Sequence, residues 1–436
     1  MLSRPPRQLL LLGGGHAHLE VLRQLAARPL HDARVTLVSM SGQHHYSSVV
    51  PGYIQGRHGE RDFTFDLRAI CRAAGATFIE GCAESIDAPG RRVIVLPTSS
   101  GKDARAATAS NGEAALVNAT SDARRTLCYD ALSIDVGSDP AALDTPGVRE
   151  HASTMRPMTK AIALKRRLDG LIATALARRK RARGERGAGT LPIAVVGAGA
   201  GGVEIALAIA CRVREAGLVG PITLIDQSDG PLRGYAQSAQ RRIKLILERR
   251  GIWLRFERTV RSVESDAVHL DDGERCEALL TVWLTGAAPP GIFGRSAVTT
   301  GENGFLLVDD TLRAIGNPQI WGAGDCVTFR DHPQLAKAGV YAVREGPILA
   351  HNLRVAIDGG RLRHYAPQSQ FLSILDTGDG RGLLCWHGLT WYSRGALMVK
   401  RIIDRRFVRK YQRLGERPNS ATSQPSASPN LNVPAM

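Results

Sequence analysis

Three glycines, Gly197, Gly199 and Gly202, fall at the spacing G-x-G-x-x-G directly after the apolar run Ile193-Ala194-Val195-Val196. That spacing turns a chain sharply, brings bare backbone N–H groups to a pyrophosphate and lets a helix pack closely on the strand before it. The next apolar run, residues 221–225, ends at Asp226. A carboxylate there accepts ribose hydroxyls and repels a 2′-phosphate, so NAD is expected over NADP, while the nearby Arg233 keeps NADP open. Glu204 stands in the first turn of the following helix, where an acid complements the helix dipole.

An altered copy of the same unit opens the chain: Leu9-Leu10-Leu11-Leu12-Gly13-Gly14-Gly15-His16-Ala17-His18. His18 replaces the third glycine, and Ser39 stands where the ribose carboxylate is expected. Two such units in one chain imply two dinucleotides. Strand-then-glycine patterns return at Ile134-Asp135-Val136-Gly137, at Trp283-Leu284-Thr285-Gly286 and at Gly322-Ala323-Gly324-Asp325. The pairs His16/His18 and His44/His45 have no carboxylate or cysteine at ligand spacing, so no metal is expected.

The elements that must hold these residues follow from hydrophobic periodicity. Strands are predicted at residues 9–12, 33–38, 77–81, 92–96, 126–138, 221–225 and 277–284, and helices at 19–27, 65–75, 158–183, 203–217, 239–250 and 334–357. Residues 46–56 begin as a loop and continue as a helix. Residues 97–125 read as a surface insertion, and 371–387 as a hairpin. Residues 391–414 form a basic amphipathic segment, and the Pro, Ser and Asn content from 415 onward predicts disorder.

With 436 residues and 43% hydrophobic content, the chain is expected to form two or three globular domains. No run approaches the roughly 20 apolar residues of a membrane span, and the first residues lack a secretory h-region, so a cytoplasmic location is expected. Seven scattered cysteines suggest neither zinc nor a redox pair. The net charge of +16 is concentrated in residues 165–186 and 394–413. Without a nucleic-acid-binding motif beside it, that charge argues against nucleic acid and leaves solubility or an anionic membrane surface. The basic end of the 158–183 helix is read as solvated.

In this fixed order, the two glycine loops, the strand ending at Gly137 and the turn at Gly324-Asp325 resemble the pyridine nucleotide-disulfide oxidoreductase superfamily of flavoproteins, specifically its type II NADH dehydrogenase-like branch. Residues 13–19, 46–56, 157–164 and 402–407 are most similar to the subgroup found fused to selenophosphate synthetase. The resemblance implies an α/β fold of two nested Rossmann-like domains of the glutathione reductase type, plus a C-terminal α+β segment. Residues 8–155 and 290–365 would bind FAD, and 156–289 would bind NADH. Residues 366–414 would form the C-terminal hairpin and basic segment, with 415–436 as tail. The implied FAD contacts are Gly13, Gly14, Gly15, His18, Ser39, Ala83, Gly137, Gly324 and Asp325, with His18 a proton-linked charge near the phosphate. The implied NADH contacts are Gly197, Gly199, Gly202, Asp226 and Gly286.

Glu204 matches the acidic residue that the family sets near the nicotinamide, and Lys337, at the start of the 334–357 helix, would add charge beside the flavin or else lie on the surface. Cys326 is expected to pack as a small buried residue. The implied reaction is hydride transfer from NADH to FAD, then electron transfer to an acceptor. Quinone-reducing members carry glutamines on the helix after the flavin aspartate, and residues 339–346 lack them. The acceptor therefore stays open between a quinone and a partner in selenium or sulfur metabolism. The 391–414 segment either lies peripherally on the inner face of the membrane or packs on the FAD domain. A homodimer is also left open.

Overall fold

A computed structural model describes residues 5–98, 124–181 and 189–416. The expectations for the 97–125 insertion and the 415–436 tail fall almost wholly outside them.

The first sheet is parallel and five-stranded, in the order Ile320–Gly322, Ala131–Ile134, Arg7–Leu12, Ala33–Ser39, Thr77–Glu80. Its central strand is covered on both faces, which is why Leu9 to Leu12 form an unbroken apolar run with no polar alternation. Gly13 to Gly15 lead from that strand into helix α1 (His16–Ala27). A second parallel sheet is ordered Ala152–Thr154, Leu280–Trp283, Ile193–Val196, Ile222–Ile225, Ile252–Arg255, and helix α2 (Lys160–Arg181) follows the first of these strands in the chain. From the strand Ile193–Val196 the chain enters helix α3 (Ala200–Glu215).

Helix α4 (Gly339–Asp358) packs across α1. Gly346 permits the approach, because a Cβ there would lie 2.8 Å from the Cβ of Glu20 and 3.3 Å from the Cα of Ala17. The antiparallel strands Ser373–Asp376, Gly382–Trp386 and Leu389–Ser393 then form a sheet, and helix α5 (Arg394–Gly415) ends the described chain.

Four local expectations need correction. The 126–138 run is two strands: Arg125–Cys128 pairs antiparallel with Arg92–Leu96, and after a break at Tyr129-Asp130 the buried Ala131–Ile134 enters the parallel sheet. The 277–284 run likewise splits into Arg275–Glu277 and Leu280–Trp283. The 334–357 helix begins only at Gly339, because Ala338 is extended and caps it from outside, leaving Lys337 on a preceding loop. The 391–414 segment starts as a strand, and its helix begins where the Ser393 hydroxyl accepts the Ala396 N–H at 3.0 Å.

One stripe of α5 is buried through Leu397, Lys400, Asp404, Val408, Tyr411 and Leu414, a helical spacing. Val408, Tyr411 and Leu414 join the core of the first sheet. The Tyr411 hydroxyl bonds Glu20 of α1 at 3.1 Å, and Lys410 pairs with the same carboxylate at 2.7 Å. Arg394, Met398, Arg401, Ile402, Ile403, Arg405 and Arg409 remain exposed.

Candidate functional site

Both parallel sheets end their strands on one cavity of about 1840 Å³, larger than the roughly 300–1,000 Å³ of a single-ligand pocket. Its wall includes Gly13 to Gly15 at one end and Gly197 to Gly202 at the other, with Gly137, Gly286, Asp325 and Lys337 between them. Crevices at the carboxyl ends of parallel strands are where open α/β sheets bind ligands.

At the second loop Gly197 and Gly202 are sterically required. Gly197 has φ +107°, and a Cβ on Gly202 would lie 1.8 Å from the Gly197 carbonyl oxygen. Gly199 caps α3 with no side chain, and a Cβ on Gly199, Gly201 or Gly286 would meet open space. The uncapped start of α3 thus presents backbone donors to the cavity, a cradle that fits a pyrophosphate. Asp226 sits beside it. One of its oxygens accepts the Ala198 N–H at 2.6 Å, and the other accepts the Ser228 N–H at 2.8 Å and hydroxyl at 2.5 Å. Arg233 and Arg258 border the same end of the cavity.

The first loop is built differently. His18 does not line the cavity and is not a charge at a phosphate. Its Nδ1 lies 2.6 Å from the Gly13 carbonyl, which can only accept, so Nδ1 donates and Nε2 accepts from the Ser133 hydroxyl at 2.8 Å. Burial lowers its pKa to about 4, and the ring is a neutral brace holding the loop on the sheet. His16 borders the cavity instead, edge-on to His44 at 4.9 Å, and burial lowers its pKa to about 4 as well. Among the described residues the Nε2 atoms of His44 and His45 and the Nη1 of Arg156 are buried at this cavity without hydrogen-bond partners. Such orphaned polar atoms fit a bound polar group.

Ser39 and Ala83 line the same end. Glu80, the register partner of Ser39 on the neighbouring strand, brings a carboxylate to this end of the cavity and pairs with Arg68. Asp325 is held above the usual carboxylate range by burial, with Arg156 and Lys337 opposing the shift. Lys337 is part-buried, 4.2 Å from the centre of the Phe305 ring, and its ammonium bonds the Val327 carbonyl. Cys326 is buried, its thiol directed at the Ala323 and Ile134 carbonyls, and burial pushes its pKa far up.

Glu204 opens onto the cavity where α3, the C-terminal hairpin and α5 converge. Its carboxylate accepts the Asp376 N–H at 2.7 Å, and burial pushes its pKa up to about 7 against the pull of Lys400. Lys400 is buried, donates to the Ser48 carbonyl at 3.0 Å and pairs with Asp404 at 3.4 Å. The Tyr46 hydroxyl bonds Ser48 and Asp404, and its ring stacks on Phe407 at 4.4 Å.

Sequence reasoning missed Lys400 and Asp404, although both fall on the apolar phase of α5, where a charged side chain must find a buried partner. It also missed Asp135 and Arg156. Asp135 carried a signal: a carboxylate directly after a short, fully buried strand. Among the described residues no group of histidine, cysteine or acidic side chains is arranged to hold a metal, and no helix is long and apolar enough to cross a membrane.

An NADH dehydrogenase-like protein of Mycobacterium tuberculosis is 28% identical over 278 residues, 62% of this chain and 62% of that protein. The match thus spans less than two thirds of that relative's length. The demethylphylloquinone reductase NdbB of Synechocystis is 24% identical over 298 residues, 66% of this chain and 69% of its own. Among solved structures, NDH2 from Plasmodium falciparum in complex with NADH superposes with a TM-score of 0.74 at 15% identity, covering 95% of this chain and 97% of its own. The sulfide:quinone oxidoreductase from Aquifex aeolicus superposes at 0.71 and 18% identity, covering 94% and 92%. At these identities the superpositions show a shared fold. The profile of the pyridine nucleotide-disulphide oxidoreductases matches residues 7–346. With that match running from the strand before the first glycine loop into α4, the chain belongs to the pyridine nucleotide-disulphide oxidoreductase family.

Proposed function

We propose that the protein is a FAD-dependent NADH dehydrogenase that delivers electrons to a quinone at a membrane surface. The observation that carries this reading is the single cavity onto which both glycine loops, the Asp325 turn and Glu204 all open. In this reading the loop at Gly13 to Gly15, with Ser39, Ala83, Gly137 and Asp325, holds FAD, and the loop at Gly197 to Gly202, with Asp226 and Gly286, holds NADH. FAD bound there supplies hydride acceptance and electron release. The chain's own side chains orient the two dinucleotides, exclude water and handle protons. Glu204 is poised to hold or release a proton near neutral pH, and Lys400 balances its charge from α5.

A quinone is supported by the names of the Synechocystis and Aquifex proteins and by the outer face of the C-terminal unit. Trp386, Leu389, Trp391, Met398 and Ile402 are all about half exposed or more. A Cβ on Gly395 would lie 3.3 Å from the Trp391 ring, so the stripe continues from hairpin to helix through Gly395, Met398 and Ile402. Exposed Arg394, Arg401, Arg405 and Arg409 border it, a pattern suited to the interface of an anionic bilayer. The test is anaerobic addition of NADH to the purified protein. The flavin absorbance is expected to bleach and to recover on adding a ubiquinone analogue. Bleaching by NADPH alone would refute the donor, and recovery without regard to quinone would refute the acceptor.

A further inference from the structure

Asp135 follows the buried strand Ala131–Ile134 and turns its side chain under the start of α1. One oxygen, Oδ2, accepts the N–H of Ala17 at 2.9 Å and of His18 at 3.0 Å. The carboxylate is wedged between two glycine turns: a Cβ on Gly15 would lie 2.1 Å from Oδ1, and one on Gly324 2.7 Å. Asp135 is 3% exposed and borders the cavity. Helix starts of this kind attract anions through their free N–H groups and dipole. At α3 those groups face the cavity uncapped, whereas at α1 two of them are already taken by a carboxylate.

The charges around Asp135 are unfavourable to its ionised form. From α1 it faces His18, whose ring is neutral and spent on Gly13 and Ser133. From the glycine turn it faces Asp325 and Cys326, and from α4 it faces Glu345, whose Oε2 accepts the Gly324 N–H at 2.6 Å. Lys337 and Arg156 act on Asp325, and among the described residues no lysine or arginine forms an ion pair with Asp135. Burial raises the Asp135 carboxyl to about 7 against the pull of the His18 and Ala17 N–H groups, with Asp325 adding to the rise, and burial raises Glu345 to about 8. A pyrophosphate at the Gly13 to Gly15 loop brings further negative charge to the same place.

We propose that FAD binding is coupled to uptake of one proton by Asp135, so that this buried carboxyl sets the pH range over which the cofactor is retained. The inference rests on the assignment of FAD to the first loop. The balance is ionised apoprotein plus FAD plus one proton giving the complex with a neutral carboxyl. Protonation at Oδ1, the oxygen without a helix contact, leaves Oδ2 accepting from Ala17 and His18 and turns a repelling charge into a hydrogen-bond donor.

The sign follows from linkage: a carboxyl whose pKa is higher in the complex than in the apoprotein favours binding at low pH. The test is titration of the full chain, stripped of FAD, by quenching of flavin fluorescence from about pH 6 to about pH 9, with proton uptake read by an indicator dye in weak buffer. The dissociation constant is expected to be flat below about pH 7 and then to rise close to tenfold per pH unit, with uptake approaching one proton per FAD. Asp135→Asn is expected to flatten the profile and bind more tightly than the wild type at the alkaline end, while Glu345→Gln keeps the slope. Wild-type protein that binds equally across the range without proton uptake overturns the coupling and leaves the FAD assignment standing. A slope that survives in Asp135→Asn but vanishes in Glu345→Gln also overturns it, and failure to bind FAD at any pH overturns both. Where Asp135→Asn does not fold, Glu345→Gln decides: slope and proton uptake kept in that variant are the expected result, and loss of either overturns the assignment to Asp135.

Discussion

The Glu204 carboxylate accepts the backbone N–H of Asp376 at 2.7 Å, a bond that joins the second turn of α3 to a hairpin 172 positions along the chain, the helix starting at Ala200 and so earlier than the sequence suggests. The same carboxyl is raised to about 7 by burial, so its charge appears only as the pH passes neutrality. NADH-to-quinone turnover is therefore expected to change between about pH 6 and pH 8 in the wild type. In Glu204→Gln that inflection should vanish, with turnover lower by on the order of 10² if the group transfers a proton. Steady-state rates against pH check this, and anaerobic bleaching by NADH serves as a control that should survive.

In the proposed reading donor choice depends on Asp226, which braces the second loop through Ala198 and shares the cavity lining with Arg233 and Arg258. Asp226→Ser is expected to raise KM for NADH roughly tenfold, about 1.4 kcal/mol, and to lower it for NADPH. Parallel KM determinations with both donors check the change, and a melting curve shows how much of it reflects loosening of the turn.

Gly202→Ala drives a methyl group against the Gly197 carbonyl, backbone against backbone, where nothing can swing aside. The substitution is expected to cost roughly 1–3 kcal/mol locally and to abolish bleaching by NADH. The yellow absorbance of FAD should remain, since the first loop lies on the other sheet. Loss of both together would contradict the division of the two loops between two cofactors.

The apolar stripe on the C-terminal unit predicts vesicle binding. Replacing Met398 and Ile402 together by glutamate is expected to weaken flotation with anionic liposomes more than tenfold, since each large apolar side chain contributes about 1.5–3 kcal/mol when buried. Raising salt to about 1 M should remove the arginine contribution and leave the apolar one. Equal flotation of variant and wild type would dismiss this face as the contact.

Much of this was legible in the chain because it is local. Glycine spacing and the unbroken apolar runs at Leu9 to Leu12 and Ile193 to Val196 announce strand, turn and helix within a few residues. What stayed hidden is convergent. Lys400 meets Ser48, and Asp135 meets Ala17, only after distant segments come together. His18 misled for a related reason. Standing in the third-glycine position, it seemed to face the ligand, but its partner Ser133 lies on a strand far along the chain and draws the ring away from the cavity.

The edge strand Ile320–Gly322 pairs with Ala131–Ile134, yet the whole of the second sheet lies between them in the chain. During synthesis the first sheet must therefore wait, one apolar edge unsatisfied, until the second sheet has emerged. An exposed strand edge is a hazard for mispairing, so expression in the cell should be most sensitive to slow translation or truncation before residue 320. The nested arrangement thus makes completion of the amino-terminal half depend on nearly the last part of the family-matched region to leave the ribosome.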